Sequence, residues 1–184
     1  MLKRIFDVLF SLLALSLFGW IVAITIVLAA IVTKSNGLFF QKRVGRHGVA
    51  FTIIKIRTLR VENDGIISTS KVGKFLRKSK LDELPQLINI IKGEMSVVGP
   101  RPDVPGYYDL LKGENRKILE LKPGLTSEAS IKYKNEETLL QSVANPKFYN
   151  DEVIFPDKVK MNLDYYHNHN LLLDVKIIIK TIFA

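Results

Sequence analysis

Residues 78–86 read KSKLDELPQ, and within them two carboxylates, Asp82 and Glu83, stand side by side. Arg77, Lys78 and Lys80 precede the pair and Pro85 follows it. Proline is tolerated in the first turn of a helix, where its missing N–H had no partner. The pair is therefore expected at or just before a helix N-terminus, where free N–H groups and a positive partial charge lie. With cations upstream as well, both carboxylates are expected to be held as anions with lowered pKa values. That suits a nucleophile or a metal ligand better than a general acid. Adjacent helical residues point about 100° apart, so the two acids take separate roles: one attacks, and the other holds a divalent cation such as Mg2+, which prefers carboxylate and phosphate oxygens. An aspartate attacking phosphorus gives an acyl phosphate, a form of covalent catalysis. Mg2+ and arginine offset the charge on the transferring group. The plain alternative is that acids in a first helical turn merely complement the dipole.

The elements that position this pair lie in a chain of 184 residues with a net charge of +9 and no cysteine. The length suits one domain with a real core. The absence of cysteine excludes disulfides and thiolate metal sites and fits a reducing compartment. The positive balance favours an anionic partner: nucleic acid, acidic headgroups or a phosphorylated substrate. It is concentrated between Lys34 and Lys80, where twelve Lys and Arg face only Glu62 and Asp64. Aromatic residues are not interleaved with this basic block as single-strand binding favours, which argues against nucleic acid.

Val8 to Val32, VLFSLLALSLFGWIVAITIVLAAIV, is 25 residues without a charge. A helix of that length, at about 1.5 Å per residue, crosses a hydrocarbon core of about 30 Å. A signal peptide fits less well, since its apolar region runs to about 7–15 residues, and a buried core helix is the other alternative. Lys3 and Arg4 precede the segment, and Lys34, Lys42, Arg43 and Arg46 follow it. Because cations mark the cytoplasmic side, both flanks qualify. A straight span violates the rule at one end, whereas a helix that enters one leaflet, bends and returns satisfies it at both. A bend needs a cause, and Ser16, Gly19 and Trp20 stand near the centre without a proline. Both courses stay open at this point.

Beyond it, two β-rich runs flank Gly45-Arg46-His47-Gly48 between Leu38 and Leu59, a hairpin pattern. Residues 62–69 read as a polar loop turning at Asp64-Gly65. Ser70 to Lys80 reads as a short basic amphipathic helix that either packs Phe75 and Leu76 into the core or lies on anionic lipid. Leu84 to Lys92 is a second apolar helix, followed by GEMSVVGPRPDVPG, a rigid loop suited to holding a ligand. Further helices are expected over Tyr107–Leu121, Leu139–Ala144, Asp157–His167 and Leu171–Phe183, the last on the core or on the membrane face. Lys55 and Arg57, two apart on a strand, share a face, as edge-strand charges or as phosphate contacts. Asp164 is either a helical partner of Lys160 or a site residue. Tyr165 and Tyr166 suit an interfacial belt or the core. His47, His167 and His169 lack metal-ligand spacing and read as structural or surface residues.

The stretch KVGKFLRKSKLDELPQLINIIKGEMSVVGPRP closely resembles the bacterial sugar transferases known as monotopic phosphoglycosyl transferases. The resemblance covers nearly the whole chain. It includes Lys3 to Asp7, Gln41-Lys42-Arg43-Val44-Gly45, Lys55-Ile56-Arg57-Thr58, Lys122-Pro123-Gly124-Leu125-Thr126 and Leu163-Asp164-Tyr165-Tyr166, with Asp174 beyond. Each motif is weak, but their order and spacing together are specific. The resemblance implies a mainly helical α+β fold: a membrane-embedded re-entrant helix over residues 1–34, and a catalytic domain over 35–184 with a small β-hairpin and amphipathic interfacial helices around the active site. It implies transfer of a phosphosugar from a UDP-sugar to a polyprenol phosphate, undecaprenyl phosphate being expected, with release of UMP, as the first membrane step of surface glycan assembly. Mg2+ is the implied cofactor. Asp82 is then the nucleophile, Glu83 the metal ligand with Asp82 beside it, Arg77 a phosphate contact, and Arg101, in Gly99-Pro100-Arg101-Pro102, a contact near the nucleotide. Lys55, Arg57 and Asp164 join as substrate-side candidates. Implied partners are membrane lipids, a second copy of the chain and downstream glycosyltransferases, and the implied location is the cytoplasmic face of the bacterial inner membrane. Two positions depart from the family: Gly19-Trp20 replaces the usual Ser-Pro at the bend, and Ser127-Glu128 follows Thr126 where Gly-Trp is usual. The competing functions are a membrane-tethered module that binds acidic lipid, and an inactive scaffold.

Overall fold

The computed structural model describes residues 1–61 and 67–183. The chain divides into two compact units, one of residues 1–43 and 51–95, the other of residues 44–50 and 96–184.

The first unit is built on α1 (Leu2–Thr33), an uninterrupted helix long and apolar enough to cross a membrane. Its polarity is inverted relative to a water-soluble helix. Leu9, Leu13, Leu17, Trp20, Val27 and Ile31 are exposed, whereas Asp7, Ser11, Thr25 and Thr33 are buried. A helix that turns its apolar residues outward and its polar ones inward suits lipid as a solvent. The helix continues through Ser16 and Gly19 without a break. The Ser16 hydroxyl donates to the Leu13 carbonyl (2.8 Å), a back-bond of the type that bends helices. Arg4 reaches across to donate to the carbonyls of Ile90 and Ile91, in the last turn of a later helix.

After α1, β1 (Leu38–Val44) and β2 (Ala50–Ile56) form the expected hairpin, whose tip, residues 44–50, belongs to the second unit. Next, β3 (Leu59–Val61) pairs antiparallel with β4 (Ile67–Thr69). The segment read as a polar loop therefore ends in a strand, and its Asp64-Gly65 turn lies outside the described residues. α2 (Lys71–Lys78) is capped by Ser70, whose side chain accepts from the Gly73 N–H. It stops two residues short of the expected end because Lys80 turns left-handed at φ 58°. Leu76 is buried with Ala29 and Ile56, but Phe75 is 62% exposed among the lysines. Phe75 thus does not enter the core, and an apolar ring on a basic face suits a membrane interface. α3 (Gln86–Lys92) closes this unit's elements and packs on α1.

In the second unit, β5 (Ser96–Val98) and β6 (Gly124–Thr126) pair in parallel. Gly99 and Gly124 meet back to back: a Cβ on Gly124 would lie 2.1 Å from the Gly99 nitrogen. Gly124→Ala is therefore expected to cost about 1–3 kcal/mol, visible as a fall of several degrees in Tm. An unchanged Tm would mean that the two backbones can part. The helix expected over Tyr107–Leu121 is instead two 3-10 segments, Tyr108–Leu110 and Gly113–Glu120. The Asp109 carboxylate draws in the N–H groups of Gly106 and Tyr107, and Gly113 turns left-handed at φ 57°, so the α-ladder cannot run through.

α4 (Glu128–Lys132), α5 (Glu136–Gln141), α6 (Pro146–Tyr149), α7 (Phe155–Asn168) and α8 (Leu171–Phe183) follow. α5 begins three residues before the helix read at Leu139. A single π-type turn, Asn150–Ile154, leads into α7. The core of this unit gathers Val44, Tyr108, Ile118, Leu119 and Val159. Each such side chain contributes about 1.5–3 kcal/mol when fully buried. On α8, Asp174 and Ile177 face inward while Leu172, Ile179, Ile182 and Phe183 are exposed.

Candidate active site

Asp82 and Glu83 lie in a 3-10 turn, Leu81–Glu83, launched by the left-handed Lys80 and running through Leu84 and Pro85 into α3. In such a turn successive side chains diverge by about 120°. The pair therefore splits, as the sequence suggested, and it does so just before the helix, within the expected position. Glu83 is matched by Lys55 from β2, with Nζ 3.1 Å from Oε1 and the two side chains only 18% and 10% exposed. Asp82 is also buried, at 8% exposed, and its Oδ1 has no hydrogen-bond partner. A buried polar atom left unbonded is uncommon and calls for an explanation. Here it is an oxygen of the residue read as the nucleophile.

The expectation of two low pKa values fails for Asp82. Burial, first, and the neighbouring Glu83 charge raise its carboxyl above the ordinary aspartate value; Lys55, Lys80 and Arg77 pull it back down only in part. The sequence displayed the cations but not the removal of the pair from water, and desolvation penalises the charged form. The result is a poorly hydrated carboxylate whose ionised form is held by three surrounding cations. That is a reactive state for an oxygen nucleophile.

Of the predicted site residues, the structure brings Lys55, Arg77, Asp82 and Glu83 into one electrostatic cluster in the first unit. Lys80, one of the cations the sequence places just upstream, belongs to it as well. Arg57 directly follows the last residue of β2, Ile56. Its Nε donates to the Leu38 carbonyl (3.2 Å), and its guanidinium lies over the Phe39 ring.

Gly99, Pro100, Arg101 and Pro102 belong to the second unit. Their loop is fixed at its root: the Gly99 N–H donates to the Thr126 carbonyl and the Gly124 N–H to the Pro100 carbonyl. The Tyr165 hydroxyl reaches both the Val98 carbonyl and the fully buried Asp174. Tyr165 is thus a core residue, while Tyr166 bonds Glu120. Asp164 is exposed and accepts from Asn168. The buried carboxylate of this region is Asp174, to which the sequence reading gave no role. His167 pairs with Glu114, and the His169 ring meets the Tyr166 carbonyl. Among the described residues no group of three or more His, Asp or Glu converges as a metal cage.

Sequence reasoning also missed Asn89, wholly buried on α3. Its Oδ1 accepts from the Ile54 N–H (3.1 Å), and its Nδ2 donates to the Thr52 carbonyl (2.8 Å) and to Glu94 (2.7 Å). The available signal was one amide inside LPQLINIIK, between residues that the helical period sends to the core.

The family description "Bacterial sugar transferase" matches residues 1–184. Among curated relatives, the chain is 32% identical to the "Uncharacterized sugar transferase EpsL" of Bacillus subtilis, over 98% of this chain and 85% of that protein. It is 33% identical to the "Exopolysaccharide production protein ExoY" of Rhizobium meliloti, over 100% and 85%. It is 34% identical to the "UDP-glucose:undecaprenyl-phosphate glucose-1-phosphate transferase" of Klebsiella pneumoniae, covering 98% of this chain but 39% of that longer protein. The apolar helix, the carboxylate pair and the motif order agree with the match across the whole chain: the chain belongs to the bacterial sugar transferase family.

Proposed function

We propose that this membrane-associated transferase moves a phosphosugar from a UDP-sugar to a polyprenol phosphate through a covalent intermediate on Asp82. The observation that carries the proposal is the buried, unbonded Oδ1 of Asp82 beside a Glu83 already matched by Lys55. Relatives named as UDP-glucose:undecaprenyl-phosphate glucose-1-phosphate transferases support the substrate classes.

In the first step the Asp82 carboxylate attacks the sugar-bearing phosphorus of the donor. An Asp–O–P bond forms, the bond from that phosphorus to the bridging oxygen breaks, and UMP leaves with the oxygen. In the second step a phosphate oxygen of the polyprenol phosphate attacks the same phosphorus. The Asp–O–P bond breaks, the carboxylate is regenerated, and the product is a polyprenyl diphosphosugar. Each step exchanges one activated phosphorus bond for another and needs no external energy source. Lys55, Lys80 and Arg77 keep Asp82 ionised for attack and set positive charge around the transferring group. Mg2+ fits the donor set, because that ion is commonly bound through one or two carboxylates plus substrate phosphates. Glu83 and the open oxygen of Asp82 would hold it, and it would offset the diphosphate charge. Arg101 is assigned to the nucleotide end of the donor.

α1 is read as re-entrant, with both ends at the cytoplasmic face of the inner membrane. Arg4 bonds to α3, and Ala29, 25 positions later, packs on Ile56 and Leu76 of the same unit. A straight helix would separate those positions by about 38 Å. The docking of both ends on one unit supports a helix that returns to the side it entered. The chain lacks cysteine, so Lys3→Cys and Lys34→Cys can each be labelled alone. Both are expected to react with a membrane-impermeant maleimide in inside-out vesicles and to be protected in intact cells. Labelling of Lys3→Cys from outside would make α1 a span. The activity itself is tested by UMP release: release beyond one equivalent per enzyme is expected only when a UDP-sugar, polyprenol phosphate and Mg2+ are all present, and EDTA is expected to abolish it.

A further inference from the structure

Resting on that reading, we infer that Asn89 is the positioning residue that holds Lys55 against the carboxylate pair. Asn89 sits on the helix that continues directly from the pair, six residues beyond Glu83. Its side-chain amide behaves as an added strand peptide, receiving the Ile54 N–H and donating to the Thr52 carbonyl of β2. Lys55 is the next residue along that strand, and its amine reaches Glu83. The second amide proton goes to Glu94 at 2.7 Å. With one acceptor and two donors all satisfied, only one orientation of the amide works, and Glu94 fixes it. Asn89 is also tied through its main chain, since its carbonyl accepts from the N–H groups of Glu94 and Met95.

The chain of contacts therefore runs from Glu94 through Asn89 to β2, and from β2 through Lys55 to Glu83. A strand can slip along its neighbour wherever little pins its register. Lys55 has a long, flexible side chain whose ammonium meets Glu83 as a point charge, so its position depends on where its backbone is held.

The test uses the full-length chain in detergent with two readouts. The first needs no activity: the rate at which the Lys55 amine is acetylated by an N-hydroxysuccinimide ester, mapped by peptide mass spectrometry. Asn89→Ala is expected to raise this rate by about tenfold. Leu87→Ala, an equally buried truncation on the same helix, is expected to leave it unchanged when each protein is held equally far below its own Tm. Glu94→Ala, which spares both bonds to β2, gives a smaller rise and keeps the test alive should Asn89→Ala fail to fold. The second readout is turnover. Asn89→Ala is expected to lower kcat about tenfold or more with little change in donor KM, and to have no further effect in a Lys55→Met background. Unchanged Lys55 labelling, or an undiminished effect of Asn89→Ala in the Lys55→Met protein, overturns the assignment. If the wild type turns over no UDP-sugar, the functional reading fails, and the labelling still decides the role of Asn89.

Discussion

Asp82→Asn is expected to abolish turnover while leaving the protein at least as thermally stable as the wild type at neutral pH. The kinetic half follows from the proposed chemistry. An amide oxygen in place of the carboxylate cannot form the acyl phosphate, and losses on removing a nucleophile reach about four orders of magnitude or more. The stability half follows from the direction of the pKa. Burial, then Glu83, raise the Asp82 carboxyl above its unfolded value, and Lys55, Lys80 and Arg77 offset this only in part. A group whose pKa is raised by folding binds its proton more tightly in the folded state. Its favourable contribution is complete below the unfolded value of about 3.9 and is lost as the pH rises through the folded value. At neutral pH ionised Asp82 is therefore a cost to the fold, accepted where activity needs it. Asparagine keeps the shape of the neutral form and removes the charge. Thermal unfolding at pH 7 is expected to give a Tm equal to or above the wild type, with the gap closing toward pH 4. A Tm several degrees lower at pH 7 would mean that the cations outweigh burial.

Lys55→Met is expected to lower the rate of adduct formation by about 10²–10³-fold and to move the acid limb of its pH profile upward. Lys55 lies 3.1 Å from Glu83, and both side chains are largely shielded. Removing one partner of a buried pair leaves an uncompensated charge. The loss extends to Asp82, because Lys55 is the first of the cations lowering its pKa and Glu83 is the neighbouring charge raising it. Without Lys55, both influences favour the protonated, unreactive carboxyl. Lys55→Arg restores the charge with a planar fork in place of a compact ammonium, so partial recovery is expected. Quenched-flow sampling with intact-protein mass spectrometry between pH 5.5 and about 9 reads the rate and the limb together. An acid limb that stays in place would remove Lys55 from the electrostatic account and leave it a packing role.

The sequence carried what is local. The apolar segment, the glycine-flanked hairpin, the basic helix and the carboxylate pair each announce themselves within a few residues, and the order of the motifs pointed to the family to which the chain belongs. What it could not carry is set by tertiary contact. The cations around Asp82 were visible, but the burial that outweighs them is set by tertiary packing. Arg57 looked equivalent to Lys55, but its guanidinium meets the Leu38 carbonyl and the Phe39 ring. The sequence left Phe75 open between the core and a lipid surface, and its exposure beside the buried Leu76 follows from tertiary packing. Asn89 went unread because its partners, Thr52 and Ile54, lie more than thirty residues away. The 3-10 segments around residue 113 turn on one left-handed glycine and one carboxylate that local propensity does not rank.

The most direct measurement of the central claim is the intact mass of the detergent-purified protein after mixing with Mg2+ and a panel of UDP-sugars, without lipid acceptor. The account predicts a gain of one phosphosugar in the wild type with at least one donor, none in Asp82→Asn, and loss of the gain when polyprenol phosphate is added. A gain that persists in Asp82→Asn, or Asp82→Asn protein that releases UMP at the wild-type rate once acceptor is present, would contradict it. Folded wild-type protein that neither gains mass nor releases UMP with any donor would favour a membrane-tethered scaffold instead.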